Sequence, residues 1–236
     1  ETEPPATDVG HNIATIKTPD RSKLVYVAAF GLFVFGISLI HVPGLTAQTT
    51  YSGPQAKALE AIDDHATEVD REYPANFVLS EWGENRMYNH FVSGESQSYG
   101  YAQNNYRDFQ FSSDPDSWYS RFDGRVGYVV VTDVDTEIPA ESTQQQLLAN
   151  LGAGGDDHEP LSQYQLLSVD EERSVAAFAV VPGATIVGSG EPSETVTAST
   201  EVTVDGTTFT YERASAAGDN GRVRMAVPYA GEYRVG

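Results

Sequence analysis

Residues 24–42 read LVYVAAFGLFVFGISLIHV, a run of 19 residues without a Lys, Arg, Asp or Glu. The run predicts a transmembrane helix, because at roughly 1.5 Å per residue it reaches about 28 Å, the thickness of a bilayer core. Lys17, Arg21 and Lys23 precede it, and the next basic residue is Lys57. The positive-inside rule therefore assigns residues 1–23 to a cytoplasmic loop or tail and everything after Pro43 to the extracytoplasmic side. A buried core helix is the competing reading, and an acidic soluble domain seldom holds so long an uncharged run.

Beyond a linker at 45–53 the pattern changes. Residues 54–71 place Ala58, Leu59, Ile62, Ala66 and Val69 at helical spacing, and Tyr73-Pro74 stops the helix. The stretch 77–79 is a short apolar strand that breaks at once into Ser80, Glu81, Trp82, Gly83 and Glu84, the pattern of a strand delivering a polar site at its carboxyl end. Residues 88–106, with Tyr88, Phe91, Tyr99, Tyr101 and Tyr106 among Asn, Ser and Gly, read as a loop-built polar surface or as buried Tyr packing. Asp116 can cap a short helix at 117–122.

The run 125–132 is a strand buried on both faces, 142–151 a second amphipathic helix, and 164–169 with 174–180 a hairpin around Asp170 and Arg173. After Pro182 the spacing predicts short strands at 195–204, 207–213 and 222–227, separated by turns at Asp205-Gly206 and Asp219-Asn220-Gly221. The expected fold class is α/β: one N-terminal transmembrane helix, an α/β layered ectodomain over 54–180, and a small antiparallel, β-sandwich-like domain over 181–236.

With 34 acidic residues against 14 basic ones, the net charge of −20 repels phosphates and anionic headgroups and excludes nucleic acid as a partner. The acids are spread among Thr, Gly and Ser, which fits a surface kept soluble in high salt and a halophilic, archaeal source. There is no cysteine, so disulfides and thiolate metal sites are excluded. Without an initiator methionine, the chain reads as part of a longer polypeptide.

Several local patterns together resemble the C-terminal part of the archaeal oligosaccharyltransferase catalytic subunit, in particular its haloarchaeal members. A last apolar helix is followed by a linker helix, and Val78-Leu79-Ser80 runs into Glu81-Trp82-Gly83-Glu84-Asn85 where the family carries W-W-D-Y-G. The strand 125–133 resembles a buried strand of the family, and the segments Val181-Pro182-Gly183-Ala184-Thr185, Phe209-Thr210-Tyr211, Asp219-Asn220-Gly221 and Val227-Pro228-Tyr229 resemble the β module of its haloarchaeal members.

The resemblance implies transfer of a lipid-linked oligosaccharide to a protein or glycan acceptor at a membrane, with acceptor-binding residues Glu81, Trp82, Gly83, Glu84 and Asn85. Trp82 occupies the second Trp of the family motif, Glu81 replaces the first and Gly83 replaces the Asp, so any carboxylate comes from Glu81 or Glu84 at a displaced position. The family's metal-binding carboxylates lie in loops of preceding membrane helices. A divalent metal is accordingly expected only with such a membrane domain, and this fragment alone is not expected to catalyse transfer.

Asp133-Val134-Asp135 at a strand end is a second candidate, because two carboxylates on one side of an extended chain can bridge a metal and a diphosphate. The five histidines share no metal-ligand spacing, and no Asn-x-Ser/Thr sequon occurs. The rival reading is a noncatalytic, membrane-anchored cell-envelope binding protein that uses residues 88–106 and the β-rich tail to hold glycan or protein.

Overall fold

The computed structural model describes residues 51–96, 99–134, 138–155 and 158–236. The run 24–42, the preceding tail and Asp135 lie outside the described residues.

Helix α1 (Gly53–Glu68) starts at Ser52, whose hydroxyl accepts from the Gln55 backbone N–H at 3.4 Å while the Gln55 side chain accepts from the Ser52 N–H at 2.8 Å. This reciprocal cap satisfies two otherwise orphaned donors. Ala58, Ile62 and Ala66 are buried, as the helical spacing predicts, and Glu60, Asp63 and Asp64 face solvent.

Strand β1 (Phe77–Leu79) is followed by three helices, α2 (Trp82–Ser93), α3 (Tyr99–Phe111) and α4 (Pro115–Phe122), before β2 (Val126–Thr132) returns parallel to β1. After a π-helical turn at Gln145–Ala149, strands β3 (Tyr164–Val169) and β4 (Val175–Val180) form the expected antiparallel hairpin. The sheet order is β1-β2-β4-β3, with β2 parallel to β1 and antiparallel to β4.

Side chains of β2 alternate between two cores, which is why its sequence is apolar almost throughout. Tyr128 and Val130 pack with Ile62, Met87 and Tyr88 of α1 and α2. Val129 and Val131 pack on the other side with Phe109, Trp118 and Leu147. Gly127 is required here by a close backbone approach: a Cβ would lie 2.1 Å from the carbonyl oxygen of Ala75. Arg71 clamps the same place, its Nη1 donating to the Gly127 carbonyl at 2.7 Å.

Among the described residues the outer edge of β1 has no strand neighbour, and side chains take that role. Asn89 accepts from the Val78 N–H at 2.9 Å, while the amides of Asn85 and Asn89 donate to the Val78 carbonyl at 2.7 and 2.9 Å. Residues four apart share one helix face, so α2 presents both amides to the edge and its buried backbone groups are satisfied.

The tail carries β5 (Ala184–Ser189) paired with β8 (Arg222–Val227), and β7 (Thr207–Ala216), β6 (Thr195–Val204) and β9 (Arg234–Val235) in a second small sheet. The β6–β7 hairpin turns at Asp205 and Gly206, with φ of 54° and 82°, a pair of left-handed residues that matches strand twist. The tail docks through polar anchors onto the β3 edge. The Leu166 N–H donates to the Tyr229 hydroxyl at 3.2 Å, and the Val169 N–H and Ser168 hydroxyl donate to Asp205 at 3.0 and 2.8 Å.

The expected fold class needs correction. Among the described residues no helix is long and apolar enough to cross a membrane. In place of an α/β ectodomain followed by a single antiparallel β domain, residues 51–236 form a compact mixed α/β unit with three small sheets. The physical reason lies in β5, which pairs with β8 rather than joining the β6–β7 hairpin, and in the anchors that tie the tail to β3. The 88–106 stretch is also mostly helix rather than loop, because burial of Tyr88, Tyr106 and the Asn pair overrides the weak helix propensity of Tyr, Asn and Ser.

Candidate functional site

Because β1 and β2 are parallel, their carboxyl ends open on the same side, where open α/β sheets hold their ligands. A pocket of about 440 Å³ lies there. Glu81 and Trp82 enter it from the end of β1, Thr132 and Val134 from the end of β2, and Gln103, Tyr106, Arg107 and Phe111 from α3.

The five residues expected to bind an acceptor separate in space. Glu81 is the N-cap of α2 and exposed, and Trp82 opens the helix, the residue 55% exposed. Both line the pocket, whereas Gly83, Glu84 and Asn85 are not among its lining residues. Gly83 is exposed, and a Cβ there would meet nothing within 4 Å. Glu84 is half-buried against α1, where one carboxylate oxygen accepts from the Gln55 amide. Asn85 is buried with its amide committed to Val78 and, at 3.4 Å, to Ser80.

Burial leaves the hydroxyls of Tyr106 and Thr132, which line the pocket, without a hydrogen-bond partner among the described residues, as it does the Tyr88 hydroxyl and one carboxylate oxygen of Glu84, which do not line it. Burial pushes the Glu84 carboxyl above its ordinary range; the charge of Glu81 adds to this and the Gln55 bond opposes it. Burial likewise holds the Tyr106 phenol well above its usual value. The nearby Thr132 backbone eases that rise from outside hydrogen-bond geometry, and the charges of Glu81 and Glu84 increase it. Both phenols are neutral at physiological pH, each a donor as well as an acceptor.

Sequence reasoning named Tyr106 only as one of the aromatics of 88–106, read as a polar loop surface or as buried Tyr packing, and missed Thr132 and Arg107. The signal was the spacing of Ala102, Tyr106 and Phe109, one buried helix face inside a stretch read as loop. Asp133, from the second candidate motif, is exposed at the end of β2. Among the described residues no three His, Asp or Glu side chains converge to hold a metal.

The tail decides the relationship. The model of the archaeal glycosylation protein B (AglB) long peripheral domain matches residues 183–235, spanning β5 to β9. This C-terminal region is similar to the oligosaccharyltransferase peripheral domain. The resemblance read from Val181 to Tyr229 thus holds, and the AglB-like tail is the part of the chain that carries it.

Two solved structures were found by fold comparison. One is the archaeal oligosaccharyltransferase AglB from Archaeoglobus fulgidus in complex with an inhibitory peptide and a dolichol-phosphate, at 12% identity and a TM-score of 0.49, covering 94% of this chain and 43% of that one. The other is the Archaeoglobus fulgidus oligosaccharyltransferase in complex with Zn and sulfate, at 12% identity and a TM-score of 0.47, covering 89% of this chain and 47% of that one. The chain thus spans less than half the length of either. No curated protein matches it.

Proposed function

We propose that this chain is the extracytoplasmic C-terminal portion of a membrane glycosyltransferase of the oligosaccharyltransferase type, contributing acceptor recognition and scaffold. The match of residues 183–235 to the AglB peripheral domain is the observation that carries the reading. The pocket at the carboxyl ends of β1 and β2 supports it, since Glu81 and Trp82, the residues that align with the family's acceptor motif, both line that pocket. In this reading the acceptor enters beside Trp82, and the lipid-linked oligosaccharide and its divalent metal are held by the rest of the enzyme. The AglB-like tail braces the sheet from its far edge through Tyr229 and Asp205.

The test is glycan transfer in membranes from cells whose gene for this chain is disrupted, with a lipid-linked oligosaccharide as donor. Transfer lost on disruption and restored by the intact gene is the expected result. Unchanged transfer contradicts the proposal and favours a binding protein.

A further inference from the structure

We infer that the free edge of β5 takes up an extended, acidic segment of another polypeptide as an added strand. The inference goes beyond the proposed function and does not rest on the pocket. Unpaired sheet edges invite further strands, and proteins ordinarily cover them or place charge or proline in them. At β1 the Asn85 and Asn89 amides cover the edge, and at β3 the Tyr229 hydroxyl and the Asp205 carboxylate do so. Strands β7, β8 and β9 carry Glu212 and Arg213, Arg222 and Arg224, and Arg234. Strand β5 has neither a charge nor a proline, and among the described residues it pairs with β8 alone.

The edge is regular, since every residue of β5 pairs with β8 without a bulge. Ile186 packs inward with Val223 and Met225, whereas Val187 on the opposite face is 68% exposed. Gly188 adds a second observation. A Cβ there would meet nothing within 4 Å and its backbone is not left-handed, so nothing within this chain requires a glycine. A glycine inside a strand often marks a place where another backbone comes close.

Charge selects the occupant. Residues paired across strands share a face, and the register sets Arg224 beside Val187 and Arg222 beside Ser189. Both arginines are exposed and make no ion pair among the described residues. Glu194, beyond the end of β5, is turned back onto the Glu191 N–H at 2.6 Å. A strand added to β5 lies about 10 Å from β8, two strand spacings, with only the short Val187 and Ser189 side chains between it and the arginines. Carboxylates at alternate positions of that strand meet both guanidinium groups. The net charge of −20 does not cancel this pairing, because charges farther away than roughly 8 Å are largely screened at physiological ionic strength. A second copy of the chain would bring its own uncharged β5 flanked by the same two arginines, which is no complement.

The experiment titrates a dye-labelled peptide of alternating Val and Glu with the full chain and follows fluorescence anisotropy. One control peptide carries Lys in place of Glu, and another carries Pro in place of Val, which removes main-chain donors at unchanged charge. The expected result is saturable binding of the Glu peptide and none of the Lys peptide. Binding falls tenfold or more with the prolines, and as far in the double variant Arg222→Gln, Arg224→Gln. Both arginines are exposed, so the double variant keeps the parental melting temperature.

Binding that survives the prolines overturns strand addition. Binding that survives the loss of both arginines, or extends to the Lys peptide, overturns the acidic occupant, and no binding of the Glu peptide overturns the inference outright. A dimer of the chain alone that Val187→Lys disperses assigns the edge to a second copy and overturns it too. Glycan transfer is tested separately by gene disruption.

Discussion

Two places in the molecule bring tyrosine and acid side chains against the four-stranded sheet, and they treat those groups in opposite ways. Along the seam between the tail and β3, Tyr211 donates to the Leu161 carbonyl at 3.0 Å and Tyr229 accepts from the Leu166 N–H. Asp205 there accepts from Ser168, from the Val169 N–H and from Lys57 at 3.0 Å. In the pocket at the carboxyl ends of β1 and β2, the hydroxyls of Tyr106 and Thr132 go without partners among the described residues. Evolution seldom leaves buried polar atoms unmatched, so the seam reads as structure and the pocket wall as a surface waiting for its complement.

The contrast is broken most forcefully at its structural pole. Tyr211 is fully buried among Val202, Val227 and Tyr229, and Tyr211→Ala is expected to cost about 3–5 kcal/mol, read as a fall in denaturation midpoint. Next comes Asn89→Ala, which strips the Val78 N–H of its partner at the edge of β1 and is expected to cost about 1–3 kcal/mol by the same measurement.

A matched pair then sharpens the comparison. Tyr211→Phe removes the donor to the Leu161 carbonyl and is expected to destabilise by roughly 1 kcal/mol, whereas Tyr106→Phe removes a hydroxyl with no partner among the described residues and is expected to be neutral or stabilising. Equal losses in the two variants would erase the distinction.

The smallest effects are in pH dependence, and their signs differ. Burial alone would raise the Asp205 carboxyl, but the bonds from Ser168, Lys57 and Val169 outweigh it and hold its pKa below the ordinary value. Its contribution to stability is therefore complete above about pH 4 and is lost as pH falls through the lowered pKa. Glu84 is shifted upward, so its contribution is present below the ordinary carboxyl pKa and is lost as pH rises through the raised one. Glu84→Gln is accordingly expected to raise the melting temperature at pH 7 and to lose that advantage near pH 4, while Asp205→Asn is expected to lower it at pH 7 and at pH 4 alike and to lose that deficit only as the pH falls through the lowered pKa.

The parts legible in the sequence were those with a period or a local signature. The apolar run of β2, the β3–β4 hairpin, the helix bearing Ala58, Ile62 and Ala66, and the left-handed Asp205-Gly206 turn all follow from residues close together in the chain. Strand β5 escaped because its residues are largely exposed and Gly188 weakens it, so only pairing with β8 reveals it. The pocket escaped for a related reason. Glu81 and Trp82 advertise a strand end, but the wall comes from α3, whose Tyr and Asn residues read as loop until the buried face of Ala102, Tyr106 and Phe109 is seen.

The central claim is that the pocket beside Trp82 serves glycan transfer. Because Trp82 is 55% exposed, it can be truncated without opening the core, so transfer by Trp82→Ala protein in membranes, measured beside its melting temperature, separates function from folding. The account predicts transfer reduced tenfold or more at an unchanged melting temperature. Transfer at the parental rate would contradict it.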